Sequence, residues 1–138
     1  MNNLTELAKE QLKKDKGFIA SNNYEIIKVE ENYCELVGKL TETSMNHYGI
    51  AHGGYIFGLA DTAAGLAAMT DGRNAVTINS TIDYFKPGKG NYLKAIAKCL
   101  KNGKTVSFFE INVYDEENNL IAKSNITYCN IKKTTNYF

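Results

Sequence analysis

The sequence predicts an α+β domain in which an antiparallel sheet of about six strands curls around one long central helix. Three observations carry that reading. Residues 54–69 are almost wholly apolar, with Asp61 the only charged side chain before Asp71. Six strand-like runs surround this stretch, two before it and four after. Turn signals join neighbouring runs as hairpins. A helix with no polar face is a buried helix, and a flat sheet would leave it exposed, so the sheet must wrap it.

The elements follow in order. Residues 4–14 place Leu4, Leu7, Ala8 and Leu12 on one helical face, with Thr5 available as a cap. A short N-terminal helix over about 3–15 lying on the body is expected. Runs 24–30 and 33–40 flank Glu31-Asn32 as a hairpin, and Cys34, Leu36, Gly38 and Leu40 share a face of the second. The Ala and Leu content of 54–69 favours helix, about 24 Å long at the usual rise. That is short for a membrane span, and Asp61 would sit near mid-depth. Its small residues, among them Gly58, Ala63, Ala64 and Ala67, let a sheet come close, and Asp71-Gly72 is a stop signal. In run 75–85, alternation points Val76, Ile78, Ile82 and Tyr84 one way and Thr77, Asn79 and Thr81 the other. Pro87-Gly88 turns the chain out of it. Runs 92–100, 105–114 and 120–131 follow, joined by Asn102-Gly103 and by the polar turn 115–119. The hairpins make the first two strands neighbours, and likewise the last three. The core is 24–131, and 132–138 is a polar tail that frays.

Composition narrows the function. A chain of 138 residues with 43% apolar content is one globular domain with a real core. A net charge of +1 supplies no field for nucleic acid or a membrane surface. Arg73 is the only arginine, the usual reader of base edges. Cys34, Cys99 and Cys129 are odd in number and lack metal spacing, which suits reduced thiols. The N-terminus has no apolar signal-peptide core. Cytoplasm is the expected location.

The chemistry concentrates at the start of the long helix. Gly53 and Gly54 stand where backbone N–H groups lack partners and carry partial positive charge. Such donors suit an oxyanion, or the glycines serve close packing. Asp61 is either a nucleophile or general base, or a core carboxylate bonded to a hydroxyl such as that of Thr62 or a strand Thr. His52 is a base, or its ring braces the loop; no metal set accompanies it and His47. Asn46 donates to a carbonyl oxygen or braces the loop. Thr77 orients a water or Asp61, or is a strand Thr by propensity. The lysines near Pro87-Gly88, with Lys101 and Lys104, contact nucleotide phosphates or form a solvated face.

One geometric limit bears on all of these. Asp61 is eight residues beyond Gly53, roughly 12 Å along a helix axis, while an Asp side chain reaches only about 2.5 Å beyond its Cα. One helix cannot bring its own Gly53 N–H and its own Asp61 to the same carbonyl carbon. If both act, Asp61 comes from a second subunit, as in a two-fold dimer with antiparallel core helices.

The pattern Asn46-x-x-Gly49-x-x-His52-Gly53-Gly54, then Leu59-Ala60-Asp61, then 83–88 reading Asp-Tyr-Phe-Lys-Pro-Gly, resembles the hot-dog-fold acyl-CoA thioesterases, with the phenylacetic-acid-degradation type as the nearest likeness. The resemblance spans about residues 24–131. It implies a sheet wrapped round the helix, dimers that often pair into tetramers, and hydrolysis of an aryl- or medium-chain acyl-CoA to free acid and CoA. No cofactor is implied, since CoA is part of the substrate. By position, Gly53 N–H polarises the carbonyl, Asn46 orients it, His52 shapes the loop, Asp61 of the facing subunit is nucleophile or base, and Thr77 assists with the water. Gly54, Tyr84, Pro87, Gly88, Lys101 and Lys104 are the expected substrate contacts. Two other functions fit the same fold. One is a non-catalytic acyl-CoA binder, which has no need of a carboxylate at position 61. The other is a hydratase-like enzyme, for which that acid is poorly placed.

Overall fold

The structure, a computed structural model, describes residues 3–131; the expected tail lies outside them. Helix α1 spans Asn3–Leu12 and rests on β1 (Tyr24–Glu30). Thr5 is not a cap. Its hydroxyl is buried, donating to the Val29 carbonyl at 3.0 Å and accepting the Val29 N–H at 2.9 Å. With that pair of hydrogen bonds facing the sheet, Ala8 is buried, while Leu7, expected on the inner face, is 46% exposed. A one-turn helix that the sequence did not announce, α2 (Phe18–Ser21), sets the Phe18 ring edge-on to Tyr24 at 5.9 Å.

The remaining strands are β2 (Tyr33–Lys39), β3 (Asn74–Tyr84), β4 (Tyr92–Asn102), β5 (Val106–Asp115) and β6 (Leu120–Ile131). All pairings are antiparallel, in the order β1-β2-β4-β5-β6-β3. The hairpin neighbours are as expected. Asn32 and Asn118 take the positive φ their turns require. The Asp115 carboxylate also accepts the N–H groups of Glu117 and Asn119 at 3.0 and 2.9 Å.

Helix α3 (Gly53–Ala68) carries the chain from the β2 side to the opposite edge, where β3 pairs with β6. Leu59, Ala60, Ala63, Ala64 and Ala67 are fully buried against the sheet, beside Leu36, Leu93, Ala95 and Ile111. Gly58 is needed for close approach, because a Cβ there would lie 2.7 Å from the Tyr24 hydroxyl and 3.0 Å from Phe18. The helix is not covered all round, as its apolar sequence suggested. Phe57, Gly58, Asp61, Thr62 and Gly65 form a half-buried stripe, spaced three to four residues apart along one face.

Strand β3 breaks the expected alternation. A register shift between Thr77 and Asn79 leaves Ile78 as a bulge. Beyond it, Ile82 and Tyr84 stand opposite Ser124 and Ala122, which are buried and face the helix. Before it, Thr77 stands opposite Tyr128, also buried. The bulge therefore puts Thr77 on the same face as Ile82 and Tyr84, and Thr81 on the other. Val76 and Ile78, read from alternation as companions of Ile82, are 50% and 57% exposed.

Candidate active site

The loop before α3 is built around Asn46. Its backbone N–H donates to the Ile50 carbonyl at 2.8 Å, and Gly49 supplies the positive φ of the turn. Its side-chain Oδ1 accepts the N–H groups of Tyr48 at 2.9 Å and Ile50 at 3.3 Å. Those two donors fix which way the amide points. Its Nδ2 has no acceptor among the described residues and, half-buried, borders a cleft. The loop is anchored where Ala51 N–H donates to the Gly88 carbonyl and His52 N–H to the Ser44 carbonyl, both at 2.9 Å.

His52 is the N-cap of α3: its Nδ1 accepts the Gly54 N–H at 2.8 Å. Accepting there places the imidazole proton on Nε2. The His52 carbonyl accepts from Tyr55 and Ile56. The Gly53 N–H is left without an acceptor among the described residues, at the positive end of the helix. Tyr84, whose phenol is pushed up by burial, donates to the Gly53 carbonyl at 2.7 Å and so ties the end of β3 to the helix start. Asn46, Gly53, Tyr84, Pro87 and Gly88 line one cleft of about 350 Å³. Gly54 lies outside it, in a smaller hollow of about 210 Å³ with His52 and Tyr55.

Asp61 belongs to a different cleft, of about 340 Å³, on the half-buried stripe of α3. Thr77 Oγ1 donates to its Oδ1 at 2.8 Å. Tyr128, which sequence reasoning did not single out, brings its hydroxyl 2.7 Å from the Asp61 carbonyl oxygen and 3.0 Å from Oδ1. Burial first, and the Asp61 charge second, push the Tyr128 phenol far up, so it stays a donor. Apolar Leu66, Met69 and Val76 complete the walls. A tyrosine alternating with Ile126 along a strand reads as core; only its pairing with Thr77 across β3 and β6 marks it as more.

The two clefts share no residue. Lys101 and Lys104 line neither. They flank the β4–β5 turn, where Arg73 donates to the carbonyls of Gly103 and Lys104 at 3.2 and 2.9 Å and to Asp71 Oδ2 at 2.7 Å. Among the described residues no group of three His, Cys, Asp or Glu side chains could hold a metal ion, and no helix is long and apolar enough to cross a membrane.

Residues 48–122 match the thioesterase superfamily, which is more than half of the chain. The chain belongs to that superfamily of thioester hydrolases, and its fold is the hot-dog fold. It is similar to the acyl-coenzyme A thioesterase PaaI of Escherichia coli, with 31% identity over 71% of each chain. The structure of the E. coli PaaI protein from the phenylacetic acid degradation operon superposes with a TM-score of 0.87 at 25% identity, over 96% of this chain and 99% of that one. A hypothetical thioesterase of Streptococcus pneumoniae with coenzyme A gives 0.79 at 31% identity, over 84% and 93%. Two further structures of that protein carry an Asp-to-Ala or a Thr-to-Ala change, each with a TM-score of 0.76 at 32% identity over 80% of this chain and 92% or 91% of theirs. The changed positions are 16 residues apart, as Asp61 and Thr77 are.

Proposed function

We propose that the protein hydrolyses an acyl-CoA thioester, of the aryl or medium-chain acyl class, to the free acid and CoA, in a homodimer that shares its active sites between subunits. The observation that carries the reading is that one helix bears two half-sites, each lacking what the other has. The first offers two donors unpaired among the described residues, Gly53 N–H and Asn46 Nδ2, with no carboxylate in the cleft. The second offers a carboxylate with a hydroxyl on it and no oxyanion donors. The half-buried stripe of α3 and the exposed edge strand β3 leave room for a second copy to bring them together. The E. coli relative's activity and the S. pneumoniae neighbour's ligand support CoA as the thiol carrier.

In this reading the thioester oxygen lies on Gly53 N–H and the Asn46 amide of one subunit. Asp61 of the other, held by the Thr77 hydroxyl, takes a proton from a water. The resulting hydroxide adds to the carbonyl carbon, and its charge passes to the oxygen held by the two donors. Collapse breaks the C–S bond; the sulfur leaves with the electron pair and accepts a proton, so that acid and thiol are the products. Each oxyanion donor is worth about 2.7–4 kcal/mol at the transition state. His52 holds the helix start in shape, and Pro87 and Gly88 border the bound thioester. Lys101 and Lys104, outside both clefts, serve the nucleotide phosphates at the far end of CoA.

The test is free-thiol release from a panel of acyl-CoAs, with wild type and Asp61→Asn, alongside light scattering for oligomeric state. Asn at 61 should cut kcat by about 10²- to 10⁴-fold without loss of fold. A wild type that turns over no thioester, a fully active Asp61→Asn, or an active monomer would overturn the proposal.

A further inference from the structure

The Asp61 carboxylate is held unevenly. Both hydroxyls within reach, Thr77 Oγ1 at 2.8 Å and the Tyr128 phenol at 3.0 Å, address the same oxygen, Oδ1. Oδ2 takes no hydrogen bond from any described residue. The two donors arrive from neighbouring strands, because Thr77 and Tyr128 are register partners across β3 and β6. They share the helix-facing side only because the bulge at Ile78 follows Thr77. Tyr128 is 2% exposed and packs edge-on against Phe109 at 5.8 Å, so its ring cannot swing away. Its single O–H proton is shared between Oδ1 and the Asp61 carbonyl oxygen, at 2.7 Å the shorter contact, which fixes the phenol to the same turn of α3 that carries the carboxylate.

We infer that Tyr128 is a positioning residue. With Thr77 it pins Oδ1 of Asp61, so that Oδ2 is the oxygen presented to the water. This rests on the proposed role of Asp61 and adds to it which oxygen reacts and what selects it. A carboxylate with two equivalent free oxygens rotates about χ2, a soft torsion. One oxygen tied by two donors stops that rotation, and positional errors of about 1 Å at a reacting centre cost up to about 100-fold in rate. The phenol acts through Asp61 and touches no substrate.

The experiment compares wild type, Tyr128→Phe, Thr77→Val and Thr77→Ser for kcat, KM and melting temperature, with crystal structures of wild type and both hydroxyl-deleted variants. Tyr128→Phe and Thr77→Val should each lower kcat about 10- to 100-fold with KM within about twofold. Thr77→Ser, which keeps the hydroxyl, should stay within about threefold of wild type. In the crystals Asp61 should keep one oxygen on both hydroxyls in wild type and should have turned in the variants. A folded Tyr128→Phe with wild-type kcat, or with its loss confined to KM, overturns the inference, because a phenol that only tied helix to sheet would move stability and not kcat. An Asp61 carboxylate that stays in place in both variants overturns it as well, whether or not the protein hydrolyses thioesters. Should Tyr128→Phe not fold, unchanged kcat and an unmoved carboxylate in Thr77→Val are decisive. If Asp61→Asn abolishes turnover while Tyr128→Phe leaves it intact, the proposed function stands and this inference alone falls.

Discussion

Asn46 braces its loop through Oδ1 and, in the proposed mechanism, binds the thioester oxygen through Nδ2, and two substitutions separate these tasks. Asp at this position keeps acceptor oxygens for the N–H groups of Tyr48 and Ile50 but removes the Nδ2 donor. Ala removes both. The loop bonds measure 2.9 and 3.3 Å, and a hydrogen bond of this kind contributes a net 0.5–1.5 kcal/mol, the longer one at the low end. Their joint loss in Asn46→Ala should cost about 1–2 kcal/mol. For a chain of this size that is roughly 3–7 °C in melting temperature. Asn46→Asp should melt within about 2 °C of wild type, since the Asx geometry survives. Both variants should lose about 10²- to 10³-fold in kcat, the effect of removing one oxyanion donor. The assay is thiol release from acyl-CoA together with differential scanning calorimetry. An Asn46→Asp protein with kcat within threefold of wild type would refute the donor role. An Asn46→Ala protein that melts like wild type would refute the bracing role.

Two further outcomes concern stability. In Gly58→Ala the new Cβ would lie 2.7 Å from the Tyr24 hydroxyl, displacing it from the Tyr55 carbonyl, which it meets at 2.7 Å. Overpacking of about 1–3 kcal/mol and the weakened hydrogen bond outweigh the gain of about 1 kcal/mol in helix propensity, so the melting temperature should fall by several degrees; a rise would contradict the packing described. Asp71 gives a pH test. Burial alone would push its carboxyl up, but the hydrogen bonds and charge of Arg73, with the Asn102 amide, outweigh burial and hold it below its ordinary 3.8. A depressed acid adds stability above its unfolded pKa and loses it as pH falls through the folded value. Arg73→Ala should therefore melt below wild type at neutral pH, with the gap narrowing as pH falls below the ordinary 3.8; a gap constant with pH would show that Asp71 is not its source.

How far the sequence could be read depends on how local each signal is. The apolar Ala- and Leu-rich run 54–69, the hairpin residues Asn32 and Asn102, and the alternation of Cys34 and Leu36 are written within a few residues of where they act. The strand order is not: no hairpin links β3 to β6, so its place at the sheet edge follows only from where α3 delivers the chain. The bulge at Ile78 is also silent in sequence, since a run of Val76, Ile78 and Ile82 looks regular, and one extra residue moved Thr77 to the other face. Thr5 illustrates the same limit, because its choice between capping α1 and bonding Val29 is settled by a strand 24 residues away. In the candidate site, Asn46, Gly53 and Asp61 stood out as unusual residues in unusual places. Tyr128 did not, because an aromatic in a buried strand is ordinary until its hydroxyl's neighbour is known.

The spacing between Gly53 and Asp61 has a genetic consequence if the site is completed by a second subunit. Damage to the donor cleft in one copy and loss of the acid in another would then fall on different sites of a mixed pair. Co-expressing two individually dead proteins, one altered at 46 and the other at 61, would leave one intact centre in each hybrid. Random pairing would restore about a quarter of full turnover, so that two recessive lesions in one gene would complement each other.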